Sequence, residues 1–257
     1  MSVVVIQSAG RWTAWQDGRA VGSMDRLVRP DGRCFLLPGT CPPRVLGRLL
    51  DAATAATGTD LYIEADGPED LGPLEARGFV VHRREHHYAL PVRADGPSLP
   101  PGYDVIGADA ADPEPLRLLD DRLRQDVPGT AGWRNDPASF ARDLKADPGF
   151  DPALYLVALE ARTGEYAGLV RVWIREGRPP RLGLIGVLPD RRGRGLAGAL
   201  LGRVSGVLHA RGVPEMVCEV DETNSASNRL MAAVGARRTG GSVELIRRRP
   251  QRPGVAA

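Results

Sequence analysis

The residues best suited to chemistry lie in one short turn, Arg191-Arg192-Gly193-Arg194-Gly195. Arginine brings charge and a planar fork of donors that matches an anion, and glycine lets a ligand approach the backbone closely. The flanks give the turn its meaning. Before it runs an apolar stretch, Leu182 to Leu188, with the look of a strand buried on both faces, and Pro189 stops it. After it Leu196, Leu200 and Val204 recur at helical spacing, with Leu201 and Leu208 beside them. A strand, a glycine turn and a helix in that order put free N–H groups at the positive end of a helix dipole. Phosphate is the usual guest of such a cradle.

A G-x-x-x-x-G-K-[ST] loop is excluded, because the chain's only lysine is Lys145. Gly193-x-Gly195-x-x-Gly198 satisfies the dinucleotide pattern, with Glu215 and Glu219 downstream as possible ribose partners, and its spacing alone leaves that reading open. A longer constellation weighs against it. Val187-x-Pro189-x-x-Arg192-x-x-Gly195-x-Ala197 resembles the acyl-CoA loop of the GCN5-related N-acetyltransferase (GNAT) family. Val220-Asp221-Glu222-Thr223-Asn224 and Val234-Gly235 resemble that family's next strand, its asparagine and the glycine of its closing helix.

The resemblance implies an N-acetyltransferase with acetyl-CoA as co-substrate. The acceptor expected is a primary amine, most simply that of a small molecule, with a peptide or protein amine second. A non-catalytic acyl-CoA-binding or scaffolding module is the reading from another class. The resemblance also assigns cofactor-binding roles to Val187, Leu188, Arg192, Gly193, Arg194, Gly195, Leu196, Ala197 and Asn224. A strand N–H near Val187 or Leu188 would polarise the thioester carbonyl. Asn224 would contact the pantetheine arm and also cap the helix that starts at Ser225. Many family members protonate the leaving thiolate with a tyrosine. Here Met231 falls at that place, and a thioether has no proton to give. For the base, Glu219 is the expected catalytic residue, alternating with Cys218 and Val220 on a strand, and Asp126 and Asp221 are the alternatives.

The elements that must hold these groups follow from pattern. Tyr103–Ile106 reads as a strand, Pro115–Arg124 as a helix, 126–133 as a loop and Ser139–Ala146 as a second helix. In the family the segment between those helices lines the acceptor cleft, and Trp133 and Trp173 are candidate walls. Leu154–Leu159 and Tyr166–Ile174 flank a Thr163-Gly164 turn. Met216–Val220, a helix over Ser225–Val234 and a last hairpin, Arg237–Ile246 across Gly240-Gly241, complete the order.

The same order recurs upstream. Two hairpins turn at Asp17-Gly18 and Asp31-Gly32, and a helix opens at Pro42-Pro43 and ends at Gly58. A strand at Leu61–Glu64, a short helix at 70–78 and an extended run from Val80 to Leu90 follow. Glu75-Ala76-Arg77-Gly78-Phe79 resembles the end of the family's closing helix. The chain therefore reads as α/β (α+β): two tandem GNAT-like domains, each a mixed, mostly antiparallel sheet flanked by helices. The expected division is a degenerate domain at 1–93 without a CoA loop, a Pro/Gly-rich linker at 94–102, an acyl-CoA-binding domain at 103–250 and a basic tail at 251–257. An ungapped overlay of Leu37-Pro38 on Leu188-Pro189 sets Cys41, Pro42, Pro43 and Arg44 where Arg192 to Gly195 stand. Two cradle donors become prolines, which have no N–H.

Composition bounds the partners. With 257 residues, 34 basic against 32 acidic and a net charge of +2, the chain lacks the basic surplus of a general nucleic-acid binder. The N-terminus carries no basic region ahead of its apolar run, and no stretch approaches the length of a membrane span. Cys34, Cys41 and Cys218, an odd number without a C-x-x-C, read as reduced thiols in a cytoplasmic protein. His82, His86 and His87 lack a second ligand pair, so no metal is expected. The oligomeric state, monomer or homodimer, is left open.

Overall fold

The structure, a computed structural model, describes residues 3–249; the tail expected at 251–257 lies outside the described residues. The chain divides into two compact units, one of residues up to Glu85 together with those from Gly241 on, the other of His86–Gly240. The C-terminal residues from Gly241 thus group with the first unit rather than with the segment that precedes them.

In the first unit, β1 (Val4–Ser8), β2 (Arg11–Gln16), β3 (Arg19–Val28) and β4 (Cys34–Pro38) form an antiparallel meander. Helix α1 (Pro43–Ala56) then leads to β5 (Leu61–Ala65), parallel to β4. Helix α2 (Pro68–Glu75) and β6 (Val80–Pro91) follow. The last strand, β12 (Arg237–Arg247), runs antiparallel to β5, with Leu245 opposite Ile63. Val45, Leu49, Leu50 and Ala53 recur on one face of α1 and bury against Trp12, Met24, Leu36 and Ile63. Strand β1 has no counterpart in the sequence reading; its apolar run is too short to signal a strand without the hairpin that pairs it.

In the second unit, whose share of β6 starts at His86, β7 (Tyr103–Gly107), β8 (Tyr155–Glu160), β9 (Tyr166–Arg175) and β10 (Arg178–Val187) are successive antiparallel neighbours. Helices α3 (Pro113–Arg124) and α4 (Phe140–Ala146) lie between β7 and β8 in sequence. Helix α5 (Leu196–Ala210) leads from β10 to β11 (Glu215–Asp221), which is parallel to β10, and α6 (Ser225–Ala233) follows. The sequence β10-α5-β11-α6-β12 therefore repeats β4-α1-β5-α2-β6.

Strand β10 is covered on both faces, as its apolar run predicts, and a bulge explains how. Leu182 pairs with Val172 and Leu184 with the adjacent Arg171, so Gly183 is the extra residue. The extra residue flips the alternation. Leu182 and Val187 join the core under α5 with Leu196 and Leu200, whereas Leu184 joins Leu116, Leu119 and Leu123 of α3. A side chain at Gly183 would meet the Trp173 ring at 2.9 Å, which fixes glycine there.

The hairpin expected across Gly240-Gly241 is not formed; Arg237–Arg247 is one continuous strand. A tight hairpin needs residues at positive φ, and neither Gly240 nor Gly241 is among the residues that adopt it. The ladder from Val243 to Arg247 on β5 holds the chain extended instead. Among the described residues no helix is long and apolar enough to cross a membrane.

Candidate active site

Strands β10 and β11 pair at Arg181 and Val217 and then part. The opening continues as a cleft of about 500 Å³ lined by residues of α3, β10, the basic turn, α5 and α6. Of the residues expected to hold a cofactor, Val187, Arg192, Gly193, Gly195, Leu196, Ala197 and Asn224 line it; Leu188 and Arg194 do not.

The turn is built to leave donors open. Pro189–Arg191 make one 3₁₀ turn in which Arg191 N–H reaches Leu188 O at 2.9 Å. Gly193 and Gly195 then take φ of +75° and +81°, a region that strains any side chain, and a Cβ at either would face open space. Gly195 is the N-cap of α5, whose first intrahelical bond runs from Ala199 N–H to Gly195 O at 3.0 Å. The N–H groups of Leu196, Ala197 and Gly198 thus have no intrahelical acceptor, and the dipole favours an anion beside them. Open, unhindered N–H donors with two arginines on the rim fit a pyrophosphate.

At the strand end the ladder separates two neighbours. Leu188 N–H donates to Ala167 O at 2.8 Å and is spent. Val187 faces Gly168 across the antiparallel pair, and alternation turns its N–H to the opposite edge, toward the gap with β11. Its carbonyl accepts from Arg192 Nε at 2.9 Å. Arg192 also forms an ion pair with Asp126, a cleft residue just after α3. Arg194 turns away, toward the Tyr103 hydroxyl at 3.3 Å and Asp190 O at 3.4 Å.

On α6, Asn224 Oδ1 accepts from Ser227 N–H at 3.1 Å, so the asparagine caps the helix while it lines the cleft. Ser227 and Leu230 follow on the same face. Met231 points into the core, its Sδ 3.4 Å from Cys218 Sγ. Burial, with the Glu219 charge adding to it, pushes the Cys218 thiol up to about 12. Glu219 does not line the cleft; its Oε2 lies 2.7 Å from both Nε and Nη2 of Arg181. Asp221 is buried and caps its own turn, accepting from Thr223 N–H at 2.8 Å.

The α3 wall is fixed by buried charge. Asp120 Oδ1 accepts from Arg124 Nε at 2.7 Å and Asn135 Nδ2 at 3.0 Å, and Oδ2 from Arg171 at 3.0 Å. Burial alone would raise its carboxyl, but the Arg171 and Arg124 guanidinium groups outweigh burial and hold it below the usual range. Asn135 binds Asp121 as well and anchors the far end of the 126–133 loop. Trp133 stacks on Arg124 at 4.0 Å and Trp173 on Arg171 at 5.1 Å, so both tryptophans belong to this network and neither lines the cleft. Asp126, Arg191 and Ser227 line the cleft without having been marked as cofactor contacts. Ser227 stands three residues from Asn224, one helical turn, a spacing that could have flagged it; Arg191 opens the basic turn itself, and Asp126 entered only as an alternative base.

Comparison with known proteins identifies the family. Residues 119–236 match the acetyltransferase (GNAT) family. A mycothiol acetyltransferase of Thermobispora bispora is 30% identical over 224 residues, 80% of this chain and 72% of that protein. One of Clavibacter michiganensis is 42% identical over 84 residues, 32% of this chain and 26% of that protein. The chain belongs to the GNAT family, and its activity is that of a GNAT acetyltransferase. Among solved structures, a GCN5-related N-acetyltransferase from Sphaerobacter thermophilus matches with a TM-score of 0.68 at 22% identity, over 96% of this chain and 82% of that one. A tandem GNAT protein from the clavulanic acid biosynthesis pathway matches with a TM-score of 0.70 at 18% identity, over 95% and 83%.

Proposed function

We propose that the chain acetylates the primary amine of a small molecule with acetyl-CoA as donor, bound in the cleft of the second unit. The observation that carries this reading is the row of open N–H groups from Leu196 to Gly198 beside a Val187 N–H turned into the same cleft. Acetyl-CoA, when bound, supplies the activated thioester. The cradle N–H groups hold its pyrophosphate, and Arg192 adds a charge-assisted bond once it exchanges Asp126 for phosphate. Val187 N–H polarises the carbonyl. Asn224 keeps its amide Nδ2 for the pantetheine arm while Oδ1 caps α6.

For the proton from the amine, Asp126 is favoured because it lines the cleft. Glu219 remains the second candidate, acting through water across its pair with Arg181. The leaving thiolate takes its proton from water, with the Ser227 hydroxyl placed to relay a proton that it regains from solvent, since Met231 is buried and has none to give. Relatives named for mycothiol support a small-molecule acceptor over a peptide. Three free cysteines suit the cytoplasm.

A library of small primary amines, with peptide amines as a separate arm, tests this by acetyl-CoA-dependent thiol release and product mass. Acetylation of a small amine is expected. Turnover of peptides alone would move the reading to protein substrates, and binding without any turnover would leave an acyl-CoA-binding module. On the accepted amine, Asp126→Asn is expected to lower kcat by about a hundred-fold, the lower end for a general base. A loss confined to Glu219→Gln would return the role to Glu219.

A further inference from the structure

The first unit repeats the parting of parallel strands and leaves a cleft of its own. Strand β4 pairs with β5 at Cys34–Leu61 and Phe35–Tyr62 and no further. Beyond that point Leu36 to Pro38 pair with β3 and Ile63 to Ala65 pair with β12, so the two edges that face each other carry unpaired peptide groups. The gap opens into a cavity of about 450 Å³. Leu36 and Ile63 form its apolar floor, and Leu37, also in the lining, is 44% exposed. Unpaired strand edges and exposed leucine in one concave site are what a slender ligand with an apolar stem and an amide would cover.

The charge of the site is opposite to that of the other cleft. Glu64, Asp66 and Asp70 line it, and Asp66 and Asp70 form no ion pair among the described residues. The basic residue in the lining, Arg29, is engaged by Asp31 at 2.8 Å and stacks on Phe35 at 4.9 Å. An anion would find no cradle either. The N-cap of α1 is Pro42 and its first residue is Pro43, neither with an N–H. Val45 and Leu46 N–H are both turned back to Pro42 O, at 2.8 and 3.1 Å.

We propose that the cleft between β4 and β5 binds a small organic cation, an ammonium carried on an apolar stem with an amide, which the carboxylates of Glu64, Asp66 and Asp70 select. This goes beyond the donor site, and its test separates the two. The full chain carrying methyl-labelled isoleucine and leucine is saturated with coenzyme A, which cannot acetylate the probe. N-acetylcadaverine is then titrated, with N-hexylacetamide and 6-acetamidohexanoate as neutral and anionic isosteres. Saturable shifts are expected at the Ile63 and Leu36 methyls while Ile185, in the donor cleft, stays still. The two isosteres should bind at least tenfold more weakly. The exposed triple change Glu64→Gln, Asp66→Asn, Asp70→Asn should weaken N-acetylcadaverine at least tenfold with Tm held, and Asp66→Asn alone about threefold. Shifts confined to Ile185, equal binding of the anionic isostere, affinity unmoved by either variant, or no shift at tens of millimolar would each overturn the proposal.

Discussion

The two clefts of this chain share a plan and differ in what they hold out to a ligand. Each lies where a parallel pair parts, β10 from β11 and β4 from β5, and each is followed by a helix whose N-terminus abuts the turn. In the second unit that turn runs from Asp190 to Gly195 and ends in a left-handed glycine; in the first it is only Gly39 to Pro42 and ends in proline. The two-residue shortening corrects the ungapped overlay. Pro42 stands opposite Gly195 and Pro43 opposite Leu196, while Arg44 falls inside the helix. The conclusion from the overlay is reinforced, since both the N-cap and the first helical residue of α1 lack the donor. A fold therefore fixes where a cleft opens, and a handful of residues at its mouth decide the sign of charge it accepts.

The strongest way to probe the difference is through the wall of the second cleft. Asp120→Ala would leave Arg124 and Arg171 without their shared buried carboxylate, and a loss of about 3–5 kcal/mol in unfolding free energy is expected by denaturant titration. A loss below about 1 kcal/mol would mean that the network does not hold the wall. Because the folded-state carboxyl is depressed, its contribution is present above the unfolded value of about 3.9 and is lost as pH falls below it. The parent should therefore lose stability more steeply than Asp120→Asn in acid; parallel curves would refute the assignment. Next in size, Gly195→Glu should weaken acetyl-CoA by about a hundred-fold or more, about 2.7 kcal/mol, with Tm lowered by only a few degrees. The side chain would stand in open space, so the effect arises from repulsion and backbone strain at φ +81°. Arg192→Ala should cost about tenfold in donor affinity and flatten its salt dependence, measured by titration at two ionic strengths; no change would confine Arg192 to its contacts with Val187 and Asp126.

The smallest expected effect concerns one thiol from each unit, Cys218 and Cys41. Cys218, with its thiol pushed up to about 12 and buried against Met231, should resist iodoacetamide at pH 8 and form no acyl-enzyme. Cys41, half-buried in the turn before α1, is also raised by burial but faces solvent in part, and should label faster than Cys218, as peptide mapping would read. An acetylated Cys218 would replace direct transfer by a two-step route.

Much of this contrast was readable before the fold was known. The motif from Val187 to Ala197 carries its own geometry, because a proline, two glycines and a helical apolar spacing leave the backbone few options. The capping role of Asn224 followed from its place before Ser225. What escaped depended on partners distant in sequence. Gly240-Gly241 has turn composition, and the strands that flank β12 in the sheet hold it extended. Leu188 and Val187 differ as donors because Ala167 lies opposite one of them. Asp126 enters the cleft because Asp121 and Asn135 pin a loop that no motif announces. Arg194 resembled a phosphate ligand and instead meets Tyr103, ninety-one residues upstream.

Calorimetry of the full chain with acetyl-CoA tests the central claim most directly, that one cleft takes the donor and its counterpart does not. The account predicts one site per chain, abolished by Gly195→Glu and untouched by the triple carboxylate change at Glu64, Asp66 and Asp70. Two sites per chain, or a site that survives Gly195→Glu, would contradict it and return a donor to the cleft between β4 and β5.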